Sequence, residues 1–178
     1  MRVDTEKLDQ YKLLNEGAEQ NGVVFWGADW LSDIPLAELA QDNGLKTPLH
    51  NRSVRGLTLG DADALLDTCV YSLHPEKVFL NIGENELKNP TFDEKGFAEK
   101  YEWLLYSIHT KCRCALYILS VVQDTTGTVN RILQRLAEKY NCEYIDVLSC
   151  RSSYPKLFAR LRFFLRKYPM TLSDIMNT

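Results

Sequence analysis

Short, uninterrupted runs of apolar residues recur along the chain, and each is followed by a glycine or a polar residue. The clearest runs cover 23–26, 78–82 and 115–122, a weaker one covers 144–147, and a further short strand is expected around 48–51. Continuous rather than alternating apolarity indicates strands that are buried on both faces, as in a parallel sheet. We therefore predict that these runs form one parallel sheet.

Helical patterns lie between these runs. Apolar residues at the i, i+3, i+4 and i+7 positions predict helices over about 62–73, 97–108 and 129–140. A first helix is predicted from a cap at Asp4 or Thr5 to about Gln20. Its expected apolar face carries Leu8, Tyr11, Leu14 and Ala18. Strands that alternate with helices imply right-handed crossovers, so we expect a single three-layer α/β/α domain over residues 1–178.

The charge balance narrows the classes of function. The 178 residues include 21 basic and 24 acidic ones, which gives a formal net charge of −3. Such a nearly neutral chain has no overall field to attract nucleic acid. Its apolar runs are far shorter than the roughly 20 residues that cross a bilayer. We expect neither nucleic-acid binding nor membrane insertion.

The cysteines and the amino terminus both bear on the compartment. The amino terminus is polar and lacks the apolar core of a signal peptide. The five cysteines are odd in number and scattered, which predicts reduced thiols and a cytoplasmic location. Cys112 and Cys114 have one residue between them, whereas zinc and redox pairs usually have two, so we predict no metal or disulfide there.

Ligands of parallel α/β sheets bind beyond the carboxyl ends of the strands. Segments 27–29, 51–58 and 83–86 should therefore meet at one edge of the sheet, and the loop 123–126 could join them. Their glycine spacings match neither the dinucleotide fingerprint nor the P-loop. The sequence therefore predicts a ligand site without a cofactor.

These segments resemble three sequence blocks of the SGNH/GDSL hydrolase family, in the same order and at similar distances. Residues 25–29 read Phe-Trp-Gly-Ala-Asp where the family has Gly-Asp-Ser. Residues 51–58 read Asn-Arg-Ser-Val-Arg-Gly-Leu-Thr, and residues 82–87 read Ile-Gly-Glu-Asn-Glu-Leu. The resemblance extends from about Val23 to Val147 and implies the flavodoxin-like fold of that family.

The resemblance also implies roles for individual residues. Gly56 stands where a glycine N–H binds the oxyanion, and Asn85 stands where an asparagine completes the oxyanion hole. Loop geometry alone explains the same two residues, through a permissive φ at Gly56 and side-chain bonds to backbone from Asn85. Asp29 stands in the position of the nucleophilic serine. Other residues expected to line this place are Ala28, Ser32, Glu84 and Glu86.

Two departures from the family pattern argue against serine esterase chemistry. Position 29 is not a serine, and no histidine follows His109, although the family uses a late one as its base. A catalytic imidazole must lie within about 3 Å of the nucleophile. His74 and His109 are predicted at the opposite edge of the sheet. Only His50, at the end of the second strand, could approach the site.

Acidic residues accumulate around the predicted site, namely Asp29, Glu84, Glu86 and Asp124. Carboxylates that converge at strand ends could bind a hard cation or a polar sugar. Solvated loop acids explain the same residues without a site, and we favour that interpretation. No metal site is predicted.

The carboxyl-terminal segment 151–167 is basic, with six Lys or Arg residues and no acid. One helical stripe is apolar and consists of Leu157, Leu161, Phe164, Leu165 and Tyr168. Phe158 and Phe163 fall outside that stripe, so the helix could pack in the core or form a homodimer or partner surface. A last turn or short helix is expected within 169–176.

Three functions remain open at this point. The first is a pseudoenzyme that keeps the hydrolase fold and binds a small acyl, sugar or polar ligand. The second is an active ester or acyl hydrolase with a rearranged site, in which Asp29 acts or Ser32 acts with His50. The third is a partner-binding scaffold that acts through the carboxyl-terminal helix.

Overall fold

Five parallel strands form the central sheet of the computed structural model, which describes residues 3–166. The strands are β1 (Val23–Gly27), β2 (Leu49–Asn51), β3 (Lys77–Asn81), β4 (Ala115–Leu119) and β5 (Glu143–Ile145). Their order across the sheet is β2-β1-β3-β4-β5. The parallel sheet predicted from the apolar runs is confirmed.

Within residues 3–166, seven α-helices pack on the two faces of this sheet. They are α1 (Thr5–Asn15), α2 (Asp29–Ser32), α3 (Leu36–Asp42), α4 (Ala62–Cys69), α5 (Glu94–Cys112), α6 (Thr128–Tyr140) and α7 (Tyr154–Leu165). Short 3-10 helices cover Tyr71–Leu73, Glu86–Lys88 and Leu148–Cys150. The helices α1, α4, α5 and α6 share one hydrophobic core with the sheet, and α2, α3 and α7 share the other. This is the predicted three-layer α/β/α arrangement.

The strands β1 and β3 are continuously apolar because they lie in the interior of the sheet. All five residues of β1 and all five of β3 are buried. Parallel register places Phe25 beside Phe79 and Phe79 beside Tyr117. Their rings stack with centroids 4.5 and 4.4 Å apart. Neighbouring aromatic rings on one face of a sheet add to the stabilisation from burial.

The first helix is shorter than predicted and turns a different face to the core. It is capped by Asp4 and ends at Asn15, not near Gln20. Tyr11 is buried, but Leu14 is 57% exposed, so the prediction for Leu14 is wrong. The Asn15 amide donates to the Thr68 carbonyl at 2.7 Å, which makes Tyr11 and Asn15 the inward stripe and leaves Leu14 towards solvent.

The last described helix packs most of its predicted stripe against the sheet. Leu157, Leu161 and Leu165 are buried, and so is Phe158, whereas Phe163 is 55% exposed. Association through this helix stays a prediction. The turn expected within 169–176 lies outside the described residues.

The amino end of β3 holds the end of α7 in place. The Lys77 side chain is buried, and its Nζ donates to the carbonyls of Phe164 and Arg166 at 2.6 and 2.5 Å. The terminal carbonyls of a helix have no partner within the helix, so a buried ammonium there satisfies them. Within residues 3–166, no helix is long and apolar enough to cross a membrane.

Candidate functional site

The loops after β1, β2 and β3 meet at one edge of the sheet because these strands are neighbours. Asp29 begins α2 directly after β1, Gly56 lies in the loop after β2, and Asn85 follows β3. Parallel strands end at the same edge, so these residues come together although 27 and 56 positions separate Asp29 from Gly56 and Asn85. The structure thus groups the residues that the sequence singled out.

The Asp29 carboxylate is the centre of this group. Its Oδ1 accepts hydrogen bonds from the Gly56 N–H at 2.7 Å and from Asn85 Nδ2 at 3.2 Å. Its Oδ2 accepts one from Lys88 Nζ at 3.1 Å. Burial raises the pKa of Asp29, but these hydrogen bonds and the Lys88 charge outweigh burial and hold it below the ordinary value of 3.8. Asp29 is therefore a stable carboxylate.

Gly56 can donate to Asp29 because of its backbone conformation. Its φ is +77°, a region that side-chain-bearing residues rarely adopt. The neighbouring Leu57 carbonyl accepts from Asn85 Nδ2 at 3.0 Å. Asn85 is also fixed from its other side, since its Oδ1 accepts from Lys88 Nζ at 2.7 Å. The Asn85 amide therefore joins the second and third loops and Asp29.

Lys88 contacts Asp29 in the candidate site and was not predicted from the sequence. It ends the 3-10 helix Glu86–Lys88, so its side chain returns towards Asn85 and Glu84. Its Nζ lies 3.1 Å from Asp29 Oδ2 and 3.8 Å from Glu84 Oε1. The i, i+4 spacing of Glu84 and Lys88 was the available signal, because such pairs face each other on a helical turn.

Glu84 is a second carboxylate in this group, and its environment differs from that of Asp29. It follows Gly83, whose φ of +138° forms the turn after β3. Its side chain is 5% exposed, and its Oε2 accepts from the Trp30 N–H at 3.0 Å. Burial, aided by the charge of Asp29, raises the pKa of Glu84 above its ordinary value. Two acids with opposite pKa shifts therefore lie on either side of Lys88.

Glu86 faces a cavity beside Asp29. Its Oε1 accepts from the Leu59 N–H at 2.5 Å, while its buried Oε2 has no hydrogen-bond partner among the described residues. Burial raises the pKa of Glu86. The cavity has a volume of about 410 Å³, and its walls include Asn85, Phe92 and Lys100.

The remaining predicted residues have structural contacts. Ala28 is buried and precedes α2, and the Ser32 hydroxyl donates to the Asp29 carbonyl at 2.7 Å. Asp124 accepts from the Asn130 N–H at 2.8 Å and from the Thr126 hydroxyl at 3.1 Å, so it fixes the start of α6. Within residues 3–166, no group of three or more His, Cys, Asp or Glu side chains could hold a metal ion.

His50 is directed away from Asp29. It pairs with Val24 in the first half of β1, whereas Asp29 lies beyond the other end of that strand. Its Nε2 is 2.9 Å from the Glu19 carbonyl, in the segment before β1. The three strand steps from Val24 to Gly27 alone span about 10 Å. His50 thus has a contact away from Asp29, and its use as a base for Asp29 or Ser32 stays a prediction.

The site contains two hydrogen-bond donors, and a side chain of the protein itself accepts from both. The Gly56 N–H and Asn85 Nδ2 are the groups that the family resemblance assigns to an oxyanion. In this chain both donate to the Asp29 carboxylate. An oxyanion hole stabilises a reaction only where its donors point at the position of the developing charge.

The fold is similar to that of solved esterase and GDSL-like lipase structures. A Streptococcus pneumoniae protein, provisionally named a platelet activating factor, matches with a TM-score of 0.75 at 21% identity over 91% of this chain and 92% of that one. The esterase EstA from Pseudoalteromonas sp. matches with a TM-score of 0.66 at 13% identity over 89% of this chain and 100% of that one. A provisionally named GDSL-like lipase from Parabacteroides merdae gives 0.60 at 13% identity, over 83% and 86%.

These structural matches establish a shared fold. Comparison with protein-family models gives no match, and comparison with curated proteins gives none either. The likeness that the three sequence blocks predicted is thus confirmed at the level of the fold.

Proposed function

We propose that this protein has an SGNH-hydrolase fold without serine esterase chemistry and that it binds a small polar or acyl ligand. The observation that carries the proposal is the Asp29 carboxylate, which accepts from both the Gly56 N–H and Asn85 Nδ2. A serine hydrolase needs these donors for an oxyanion that forms during the reaction. A permanent carboxylate that already accepts from these donors competes with that oxyanion for them.

The histidines support the same proposal. His74 follows a 3-10 helix before β3, and His109 lies in the last turn of α5, both at the amino edge of the sheet. His50 is bonded to the segment before β1. A general base must reach its proton directly or through one water, and none of these three is placed at Asp29.

Turnover of short-chain aryl esters tests this proposal. We expect wild-type protein, Asn85→Ala and the matched control Asn43→Ala to release phenol at the same background rate. Asn43 is also hydrogen-bonded to backbone, but it lies at the end of α3. Wild-type turnover that collapses in Asn85→Ala and persists in Asn43→Ala would refute the proposal.

A phosphonate gives a second readout that needs no turnover. The Pseudoalteromonas esterase is described as inhibited by monoethylphosphonate. We expect an activated ethyl phosphonate to leave the intact mass of this protein unchanged, because Asp29 is held as a hydrogen-bonded carboxylate. A stoichiometric adduct that maps to Asp29 or Ser32 would contradict this.

The cavity beside Glu86 is the place we propose for the ligand. Ligand sites of small molecules have volumes of about 300–1,000 Å³ and combine aromatic walls with a few polar groups. Phe92 and Phe97 form an aromatic wall with ring centroids 5.6 Å apart. The charged residues that line it are Glu86, Asp93 and Lys100, two acids and one base, which disfavours an anionic ligand.

Amide chemical-shift mapping with xylose and with the uncharged acyl compound butyramide tests the ligand site. We expect either probe to shift the amides of Asn85, Phe92 and Lys100, and Phe92→Ala to weaken the effect. Tyr106→Ala is a control, since Tyr106 is exposed and lies outside this cavity. If neither probe shifts these amides at millimolar concentration, the ligand part of the proposal is wrong.

A second candidate function is a hydrolase that uses Asp29 and Glu84. The observation that favours it is their opposite pKa shifts on the two sides of Lys88, a pattern typical of acid and base pairs. Only 5% of the Glu84 side chain is exposed, which counts against contact with a substrate. Ester turnover with a bell-shaped pH profile, abolished in Glu84→Gln, would favour this candidate over the first.

Cytoplasmic localisation stays a prediction. All five cysteines are free thiols, which agrees with a reducing compartment. Fractionation with an antibody to the native protein would test it.

A further inference from the structure

The outward face of α7 is basic and carries one aromatic ring. Residues 151–166 include five Lys or Arg residues and no acid, whereas the rest of the chain has 16 basic and 24 acidic residues. Lys156, Arg160 and Arg162 are exposed, and Phe163 is 55% exposed. This segment therefore has a charge opposite to that of the remainder of the molecule.

Helical spacing brings these exposed side chains together. The three buried leucines of α7 face the sheet and fix the inward side of the helix. Lys156, Arg160 and Phe163 have the i, i+4 and i+7 spacing of a stripe that is turned away from those leucines. Arg162 lies on the other flank of Phe163 at the same spacing per turn. Phe163 is therefore an outward ring with cations on both sides.

Contacts within the fold hold this face in position. The Lys77 ammonium donates to the Phe164 and Arg166 carbonyls and so fixes the end of α7. The Phe163 ring meets the Phe164 ring edge-on at a centroid distance of 5.3 Å, and Phe164 in turn contacts Tyr117 of β4 at 5.7 Å. A surface that is already ordered loses little conformational entropy when it binds a partner.

The cations of this face have no ion-pair partner among residues 3–166. None of Lys156, Arg160 and Arg162 lies in an ion pair there. The helix α3 packs beside α7 and carries the exposed acids Glu38 and Asp42, but neither pairs with these cations. The three charges are therefore available to attract an anionic partner.

Shape and charge distribution favour a flat anionic surface as that partner. An exposed helix face is convex, whereas peptides bind mainly in grooves or along sheet edges. An extended nucleic acid would pass beyond α7 and meet the acidic remainder of the chain. A bilayer touches only one side of a folded domain, and charges more than about 10 Å away from it are screened. An aromatic ring among Lys and Arg is typical of helices that lie in the bilayer interface.

We infer that the outward face of α7 is a docking surface for anionic phospholipid bilayers. Lys156, Arg160 and Arg162 contact the lipid headgroups, and the Phe163 ring enters the boundary between headgroups and acyl chains. This contact is peripheral and uses one face of the helix. The inference is independent of the proposed function.

Sedimentation with large unilamellar vesicles tests the charge contribution. The vesicles consist of phosphatidylcholine alone or with about 30% phosphatidylserine. We expect binding only to vesicles with phosphatidylserine, and its loss in about 0.5 M salt. The double change Lys156→Gln with Arg160→Gln should weaken binding by about tenfold or more. The control Lys12→Gln with Lys95→Gln removes the same charge on the opposite face of the sheet and should weaken it less than about twofold.

Phe163→Ser tests the contact of the aromatic ring with lipid. We expect several-fold weaker binding to the vesicles with phosphatidylserine, because the ring no longer enters the interface. Tyr106→Ser is the matched control, since its ring is 64% exposed on α5, and it should leave binding unchanged. Circular dichroism checks that both exposed substitutions leave the fold intact.

Three results would overturn the inference. The first is that the wild-type protein does not bind vesicles with phosphatidylserine at low salt. The second is that the two double changes weaken binding equally. The third is that polyuridylate or polyglutamate binds as tightly as these vesicles at equal charge concentration while Phe163→Ser has no effect. The face would then be a site for nucleic acid or acidic protein segments.

Discussion

Asp29 and Glu86 are two carboxylates at the same edge of one sheet, and their surroundings shift their pKa values in opposite directions. Asp29 accepts three hydrogen bonds, two from loop donors and one from an ammonium, and its pKa is lowered. Glu86 Oε1 accepts from the Leu59 N–H, its Oε2 has no partner among the described residues, and its pKa is raised. Burial acts against both charges, and the hydrogen bonds together with the Lys88 ammonium outweigh it at Asp29, whereas backbone hydrogen bonds do not outweigh it at Glu86.

This contrast separates a carboxylate that joins loops from one that is weakly held. Asp29 joins the three loops after β1, β2 and β3, and its removal leaves their donors without partners. Glu86 lines a cavity, but its unpaired Oε2 is buried and is not exposed to that cavity. Stability should therefore depend more on Asp29 than on Glu86.

The largest effect is expected for Asp29→Ala. It should lower the free energy of unfolding by about 2–4 kcal/mol, because the Gly56 N–H and the Asn85 amide lose a charged acceptor. Urea denaturation followed by circular dichroism measures this. The control Asp33→Ala removes an acid that is 50% exposed and should cost less than about 1 kcal/mol. Equal losses for the two changes would contradict the contrast.

Gly56→Ala should be the next largest. A side chain at φ +77° adds strain of about 1–2 kcal/mol, and any movement that relieves the strain takes the N–H away from Asp29. Gly44→Ala is a close control, because its φ is +65° and no atom lies within 4 Å of the added carbon. We expect the melting temperature to fall further for Gly56→Ala, and the same fall in both would show that only strain matters.

Glu86→Gln should change stability at pH 7 by less than about 1 kcal/mol, because the amide oxygen still accepts from Leu59. The effect of Glu86→Gln should be clearer in the pH dependence of the free energy of unfolding. Because the pKa of Glu86 is raised when folded, stability falls as pH rises above its ordinary value of 4.5 and levels off above the folded pKa. Glu84 acts in the same direction, so Glu86→Gln should reduce this fall but not abolish it.

Asp29 gives the opposite dependence, since its folded pKa lies below the ordinary 3.8. Its contribution is complete above that value and is lost as pH falls through the folded pKa. Denaturation curves of wild type, Asp29→Asn and Glu86→Gln from pH 3 to 8 would separate the two groups. An unchanged slope above pH 4.5 in Glu86→Gln would contradict the raised pKa.

Lys88→Met should have the smallest effect. The Lys88 side chain is 52% exposed, so its ion pair with Asp29 is screened and should contribute about 0.5 kcal/mol. Most of that difference should vanish in 1 M salt. A loss as large as that of Asp29→Ala would show that the ammonium, not the loop donors, holds the carboxylate.

The layered fold could be predicted because its strands are buried on both faces. The runs at 23–26 and 78–82 are continuously apolar for that reason, and they correspond to the interior strands β1 and β3. The meeting of Asp29, Gly56 and Asn85 followed from the rule that parallel strands end at one edge. The length of α1 did not follow, because a tertiary bond from Asn15 to Thr68 sets its inward face.

The hydrogen bonds of the site could not be predicted from the same patterns. The sequence put Asp29 in the position of a nucleophile, but side-chain direction decides that it accepts from Gly56 and Asn85 instead. Lys88 was missed because its reach depends on the 3-10 turn Glu86–Lys88. His50 was a candidate because the three residues of β2 do not reveal the strand register, which pairs His50 with Val24.

The bonds of Asp29 also bear on how this sequence can change over time. A serine at position 29 would free the donors for an oxyanion, but the same step would remove the acceptor that joins three loops. Proteins keep only a small margin of stability, so a step of that size is selected against. The hydrogen bonds of Asp29 therefore restrict exchange at position 29, because the intermediate sequence would be less stable.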